Sequence, residues 1–172
     1  MRYLELRRHT DNDGDDLTAR GVAEAEAIGR KELRPPYAAF ISSGAARATQ
    51  MVTLLRHAAG QDDVVIHEVP GLRSTVEDRW RAAAKAAGKG ATVEQIRRVD
   101  PDLVEHEERL LGSALRGIVD SLPDGGRALV VGHSPTNEAA VAALTGHTVK
   151  PLGKGAGVLL VEDGGRFTVN PL

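Results

Sequence analysis

Basic and imidazole side chains lie at the ends of three apolar runs in this chain of 172 residues. Arg8 and His9 close the first run, Arg47 follows the second, which covers 40–43, and His133 closes the third. If these runs are parallel strands of one sheet, their carboxyl ends meet at one edge, which is where open α/β sheets bind ligands. We therefore expect these four side chains to lie close together.

Two guanidinium groups and two imidazoles without an obvious carboxylate partner are typical of a pocket for a dianion. Arginine offers planar, forked donors that match phosphate oxygens, and a histidine can carry a phosphoryl group covalently. Taken singly, each of these residues also fits a solvated strand end or an ordinary surface position. Their combination favours a site for a phosphoryl group.

Four motifs occur in a fixed order along the chain, and together they resemble the histidine phosphatase superfamily, which includes the cofactor-dependent phosphoglycerate mutases and acid phosphatases. The motifs cover 6–10, 17–21, 42–50 and 131–134. Each is weak alone, and the resemblance spans 1–135. It implies a three-layer α/β/α sandwich with a mainly parallel sheet. The 17–21 motif and the run at 152–156 look most like the small bacterial phosphohistidine phosphatases.

The resemblance also implies a role for each residue of the site. His9 would attack phosphorus and become phosphohistidine, which water then hydrolyses, while Arg8, Arg47 and His133 would hold the phosphoryl oxygens. No metal or cofactor is expected. His9 should be neutral because its cationic neighbours disfavour the imidazolium, and His133 should donate to the phosphate, in part as a cation.

Two positions depart from the usual pattern of the family. Thr10 stands where glycine usually follows the nucleophile, and its side chain is expected to narrow the pocket or to offer a hydroxyl to the phosphate. Many members carry a glutamate as general acid in a Leu-Arg-Glu sequence, whereas here Leu72-Arg73 is followed by Ser74. Glu77 is the candidate acid and Asp78 the next nearest, the alternative being two solvated carboxylates at a helix start.

Apolar periodicity and turn residues predict the elements that position these groups. Thr18 and Asp100 are predicted helix N-caps, Ser134 is expected to cap a later helix, and the acidic run 105–108 is expected to be exposed. The helical insertion at about 70–100 is predicted to be either a lid beside the site or an ordinary surface hairpin. The predicted strands cover 1–9, 37–42, 64–69 and 128–131 with a hairpin over 155–169, and the predicted helices cover 18–32, 45–57, 76–87, 92–99, 101–122 and 134–144.

Length and composition indicate a single domain over 1–172. The 22 basic and 24 acidic residues give a net charge of −2, which argues against a general nucleic-acid binder. The chain has no cysteine, so thiolate nucleophiles and cysteine zinc sites are excluded. We expect no membrane association and a cytoplasmic location, because no apolar stretch approaches the ~18 residues of a membrane span and no signal-peptide pattern is present.

These observations predict a metal-independent phosphatase acting on a phosphorylated small molecule or on a phosphohistidine protein. Phosphohistidine and aryl phosphates have better leaving groups than alkyl phosphates, so they depend less on a general acid. The alternatives are a catalytically weak module that binds a phosphorylated ligand, and a phosphotransferase of the phosphoglycerate mutase type. The natural substrate and the oligomeric state stay open.

Overall fold

A six-stranded sheet forms the centre of the computed structural model, which describes residues 1–172. In spatial order its strands are β5 (Ile66–Glu68), β4 (Ala39–Ser42), β6 (Arg127–Gly132), β1 (Arg2–Arg8), β7 (Gly157–Asp163) and β8 (Arg166–Pro171). The first four strands are parallel, and β7 and β8 pair antiparallel at one side. The sheet is therefore mainly parallel, as predicted. Two short strands, β2 (Asn12–Asp13) and β3 (Asp16–Leu17), form a separate hairpin.

Helices cover both faces of the sheet. They are α1 (Ala19–Lys31), α2 (Ala46–Ala58), α3 (Glu77–Ala87), α4 (Val93–Val99), α5 (Pro101–Ser121) and α6 (Thr136–Thr145), with a 3₁₀ turn at Pro70–Leu72. Strand β6, which is buried over 128–132, contributes to two cores, as a strand covered on both faces must. Ala128 and Val130 lie in the core with α3 to α6, whereas Leu129 and Val131 lie in the core with α1 and α2. This arrangement confirms the three-layer sandwich.

Two of the three predicted N-caps are confirmed by their hydrogen bonds. Thr18 accepts a hydrogen bond from the Gly21 amide at 3.0 Å, and Asp100 accepts one from the Leu103 amide at 3.2 Å. The prediction that Ser134 caps α6 is wrong. Pro135 occupies the N-cap, and the Ser134 hydroxyl donates instead to the Glu138 carboxylate.

The expectation that the acidic run 105–108 is wholly exposed is also wrong. Glu105 and His106 are exposed, but Glu107 retains only 2% of its accessible surface. Glu107 lies four residues from both Leu103 and Leu111, so the helical repeat places it within the apolar stripe of α5. The position of Glu107 in the helical repeat was the feature of the sequence that could have identified it as buried.

The insertion at about 70–100 consists of the 3₁₀ turn, α3 and α4. Trp80 and Ala83 of α3 and Val93 and Ile96 of α4 are buried against the core that contains α5. None of the helices in the structure is both long enough and apolar enough to cross a membrane.

Candidate active site

The carboxyl ends of β1, β6 and β4 meet at one edge of the sheet. Pairing continues one residue past the strands, because the His9 amide donates to the Gly132 carbonyl at 3.1 Å and the Ser43 amide donates to the Val131 carbonyl at 3.2 Å. The rings of His9 and His133 lie edge to face with their centroids 5.3 Å apart. The structure therefore brings the two predicted imidazoles together.

His9 is held in one tautomer by the backbone. Its Nδ1 lies 2.8 Å from the Thr10 carbonyl, which can only accept, so Nδ1 carries a proton and the neutral ring has its lone pair on Nε2. Burial lowers the pKa of His9, and the charges of Arg47, Arg8 and Lys154 lower it further. His9 thus presents a neutral Nε2, which is the form that a nucleophile requires.

Arg47 joins the two histidines. It is the second residue of α2, and its Nε donates to His9 Nε2 at 3.3 Å while its Nη2 lies 3.3 Å from His133 Nδ1. Its Nη1 donates to Asp15 Oδ1 at 2.9 Å. Asp15 lies in the acidic loop that joins β2 and β3, so Arg47 does have a carboxylate partner, contrary to the expectation from the sequence.

His133 is buried and neutral in this arrangement. Burial lowers its pKa to about 3, and the charges of Arg47 and His9 act in the same direction. Because Arg47 can only donate, His133 Nδ1 is an acceptor and its Nε2 donates to Ser43 Oγ at 2.7 Å. A cationic His133, as expected next to phosphate, therefore needs the negative charge of the ligand.

Arg8 and Thr10 do not line the same cavity as these groups. Arg8 is half-buried, donates from Nη1 to the Leu152 carbonyl at 2.8 Å and lines a neighbouring groove. The Thr10 hydroxyl donates to the Gly21 carbonyl at 2.8 Å, and the residue is fully buried. The structure does not bring Thr10 to the cavity as a phosphate ligand, because its hydroxyl is bound to the first turn of α1. Gly21 is needed there, since a Cβ atom would lie 2.0 Å from the Asp11 carbonyl oxygen.

A cavity of about 290 Å³ opens in front of His9, Arg47 and His133. Its far wall is α3, which contributes Glu77 and Trp80, so this part of the insertion lies beside the site rather than forming only a surface hairpin. The structure contains no group of three or more histidine, aspartate or glutamate side chains arranged to hold a metal ion.

The two candidate acids on α3 have different surroundings. Glu77 lines the cavity, and its Oε1 accepts from Arg73 Nε at 2.8 Å. Asp78 does not line the cavity and forms an exposed ion pair with Arg81. Of the two carboxylates, only that of Glu77 belongs to a residue that lines the same cavity as His9.

Glu107 holds the wall of the cavity from behind. Its buried carboxylate accepts hydrogen bonds from Trp80 Nε1 at 2.9 Å and from the Ser74 hydroxyl. Trp80 and Ser74 both line the cavity. Sequence reasoning missed this role because it grouped Glu107 with exposed charges.

Asn137 is a second residue of the site that was not predicted from the sequence. Its side chain accepts from the His133 amide at 3.3 Å and donates to the Arg7 carbonyl at 3.1 Å, thereby joining the ends of β6 and β1. A Cβ atom on Gly132 would lie 2.4 Å from Asn137 Oδ1. The small size of Gly132 therefore makes room for the Asn137 side chain.

No protein-family model and no curated protein sequence matches the chain. Three similar solved structures cover nearly its full length. Phosphoglycerate mutase from Bacillus anthracis str. Sterne has a TM-score of 0.72 at 21% identity, with 99% of this chain and 92% of that chain covered. Mycobacterial glucosyl-3-phosphoglycerate phosphatase in complex with VO3 has a TM-score of 0.70 at 18% identity, covering 99% and 98%.

The third structure is the protein histidine phosphatase SixA complexed with tungstate, which has a TM-score of 0.60 at 18% identity and covers 98% of this chain and 94% of that chain. These identities are low, so the likeness concerns the fold. The chain has the phosphoglycerate mutase-like fold that is found in the histidine phosphatase superfamily.

Proposed function

We propose that this chain is a metal-independent phosphatase of the histidine phosphatase superfamily, acting through a phosphohistidine on His9. The observation that carries the proposal is the state of His9, whose Nδ1 proton is held by the Thr10 carbonyl while neutral Nε2 faces Arg47. Two proteins of the same fold are described in complex with VO3 and with tungstate. Both are oxyanions that resemble phosphate, which supports an oxyanion site in this fold.

In the first step Arg47 turns its forked donors from the two imidazoles to the phosphoryl oxygens. This movement frees His9 Nε2, which attacks phosphorus as the bond from phosphorus to the leaving-group oxygen or nitrogen breaks. Arg47 stabilises the negative charge of the phosphoryl group from within the cavity, and Arg8 adds positive charge from the adjoining groove. In the second step water attacks phosphorus, the P–N bond breaks, and phosphate leaves with His9 restored.

Ser43 allows His133 to take part. A hydroxyl can donate as well as accept, so Ser43 Oγ can donate to His133 Nε2 and leave Nδ1 protonated toward the phosphate. The bound dianion also favours the imidazolium, because an opposite charge stabilises the charged form. Either form converts His133 from an acceptor for Arg47 into a donor for the phosphoryl group.

The leaving group decides whether an acid is needed. Glu77 is our candidate donor, since it lines the cavity, although its carboxylate is tied to Arg73. Phosphohistidine or an aryl phosphate departs more readily than an alkyl phosphate and depends less on Glu77. The substrate classes we propose are a small phosphomonoester and a phosphohistidine.

The test is hydrolysis of p-nitrophenyl phosphate in excess EDTA by wild type and His9→Ala. His57→Ala is a matched control, because His57 is an exposed histidine near the far end of α2. We expect turnover that survives EDTA, falls by about a thousandfold or more in His9→Ala and is unchanged in the control. Acid-labile, base-stable ³²P on the wild-type chain alone would identify the intermediate.

Other outcomes separate the alternatives. Undiminished turnover in His9→Ala would remove His9 as the nucleophile. Loss of turnover in EDTA would contradict a metal-independent reaction. Phosphate binding without turnover would favour the catalytically weak module that binds a phosphorylated ligand. Transfer to a second alcohol in preference to water would favour a phosphotransferase.

A further inference from the structure

A second depression, which we call the basic groove, adjoins the catalytic cavity. It is lined by the basic residues Arg8, Arg81, Lys85 and Lys89, and no acidic residue lines it. Its volume is about 570 Å³. Arg81 and Ser134, among others, line both the groove and the cavity, so the two are continuous.

Three of these cations form a stripe along α3 and the turn after it. Arg81, Lys85 and Lys89 are each four residues apart, and Glu77 precedes them by the same interval. In a helix residues four apart lie on one face. Glu77, Arg81 and Lys85 therefore share one face of α3, and Lys89, which follows the helix, continues the stripe because it lines the same groove.

The lysines of this stripe have no acidic partner. Neither Lys85 nor Lys89 takes part in any of the ion pairs of the structure, whereas Arg81 pairs with Asp78 at an exposed position. Like charges four residues apart on a helix destabilise it by a few tenths of a kcal/mol. Lys85 also lies in the last turn of α3, where the helix dipole favours a cation, but Lys89 lies beyond the helix. The dipole alone thus does not account for the stripe.

The fourth cation lies at the base of the groove. Arg8 has a buried Nε without a hydrogen-bond partner, and its Nη1 is bound to the Leu152 carbonyl. The buried Glu138 carboxylate offsets part of its charge. The lysines are the less compensated charges, because both are exposed and neither forms an ion pair.

We propose that the basic groove binds a second phosphate group carried on the leaving-group side of a small substrate. This inference rests on the proposed function, and it specifies the substrate as a small molecule with two phosphates. The catalytic cavity, at about 290 Å³, lies at the lower end of the range for ligand sites and suits one phosphoryl group with a short connection. A second dianion next to two unpaired lysines gains charge-assisted hydrogen bonds that a neutral leaving group cannot make.

The test measures binding of non-hydrolysable ligands by isothermal titration calorimetry. Alkane diphosphonates with chains of about two to eight carbons are compared with alkyl phosphonates of the same length. The variants are Lys85→Gln/Lys89→Gln and a matched control, Arg30→Gln/Lys31→Gln. The control removes two exposed positive charges at the carboxyl end of α1. This end is about 20 Å from the amino end of the helix, which lies beside Thr10.

For at least one chain length, wild type should bind the diphosphonate about tenfold more tightly than the alkyl phosphonate of the same length. This factor is counted after division by two, because a diphosphonate has two equivalent ends that can bind. The Lys85→Gln/Lys89→Gln variant should lose most of this preference, and the control should keep it. Hydrolysis of p-nitrophenyl phosphate should stay within about twofold of wild type in both.

Three results would overturn the inference. They are no preference at any length in wild type, a preference that survives in Lys85→Gln/Lys89→Gln, and equal binding when a carboxylate replaces the second phosphonate. Since none of these measurements requires turnover, they test the groove independently. Failure of the proposed function would instead be seen as absent hydrolysis of p-nitrophenyl phosphate.

Discussion

Acidification should destabilise the fold through His133. Burial lowers the pKa of this side chain to about 3, whereas an exposed histidine in the unfolded chain titrates near 6.5. Between these values the unfolded state binds a proton that the folded state does not, so stability falls as the pH falls. The contribution of His133 is complete above about pH 6.5 and is lost progressively toward pH 3.

The size of the effect follows from the two pKa values. At pH 4.5 nearly every unfolded chain carries the proton, while the folded imidazole stays largely neutral. The linkage relation gives a loss of about 2 to 3 kcal/mol between pH 7 and pH 4.5 from this residue. His9 acts in the same direction, because burial lowers its pKa also.

The assay is urea unfolding at pH 7 and pH 4.5 for wild type, His133→Gln and a control, His106→Gln. The control replaces a histidine that is exposed on α5. All three proteins contain the same carboxylates, so the contribution of carboxylate titration cancels when their losses of stability are compared. We expect the loss of stability in His133→Gln to be smaller than in wild type by about 2 to 3 kcal/mol. His106→Gln should behave as wild type. An equal loss in His133→Gln, or an NMR titration of His133 near 6.5, would refute the reasoning.

Three further substitutions test individual contacts. Glu77→Gln should lower kcat/KM for an alkyl phosphate by more than about tenfold and affect an aryl phosphate less; a smaller loss would rule out Glu77 as general acid. Asp15→Asn should lower the inhibition constant of phosphate about threefold, since Asp15 competes for Arg47, whereas weaker inhibition would mean that Asp15 positions Arg47. Glu107→Ala should lower the free energy of unfolding by about 3 kcal/mol in urea titrations, because Trp80 Nε1 loses its buried acceptor, and Glu107→Gln by much less; equal losses would contradict this.

The three-layer sandwich was expected from the resemblance in the four motifs, whereas the buried strands, two of the helix caps and the meeting of the two histidines could be predicted from local patterns. A buried strand is recognisable from its apolar run, and a parallel sheet collects strand ends at one edge. Thr18 and Asp100 cap helices through bonds to residues three positions away. Interactions of such short range can be read from spacing alone.

The rest of the candidate site depends on contacts between distant segments. Asp15 reaches Arg47 because the β2–β3 hairpin folds over the start of α2, and a run of aspartates does not show which member will do so. Asn137 depends on the distance between two strand ends. The Thr10 hydroxyl could equally have faced the cavity, and the position of Gly21 decided otherwise.

Ser74 stands at the position expected for the acid and instead supports the wall of the cavity. It stands after Leu72-Arg73, where the superfamily that the motifs resemble usually has a glutamate, and its hydroxyl donates into the core to Glu107. This position therefore supports the cavity wall rather than supplying a proton. On our proposal the proton donor is instead Glu77, the first residue of α3, which lines the cavity. The same helix continues into Arg81 and Lys85, so on our proposals a single element contacts both the departing oxygen and the second phosphate of the leaving group. Shifting the register of α3 should then change acid catalysis and substrate preference together.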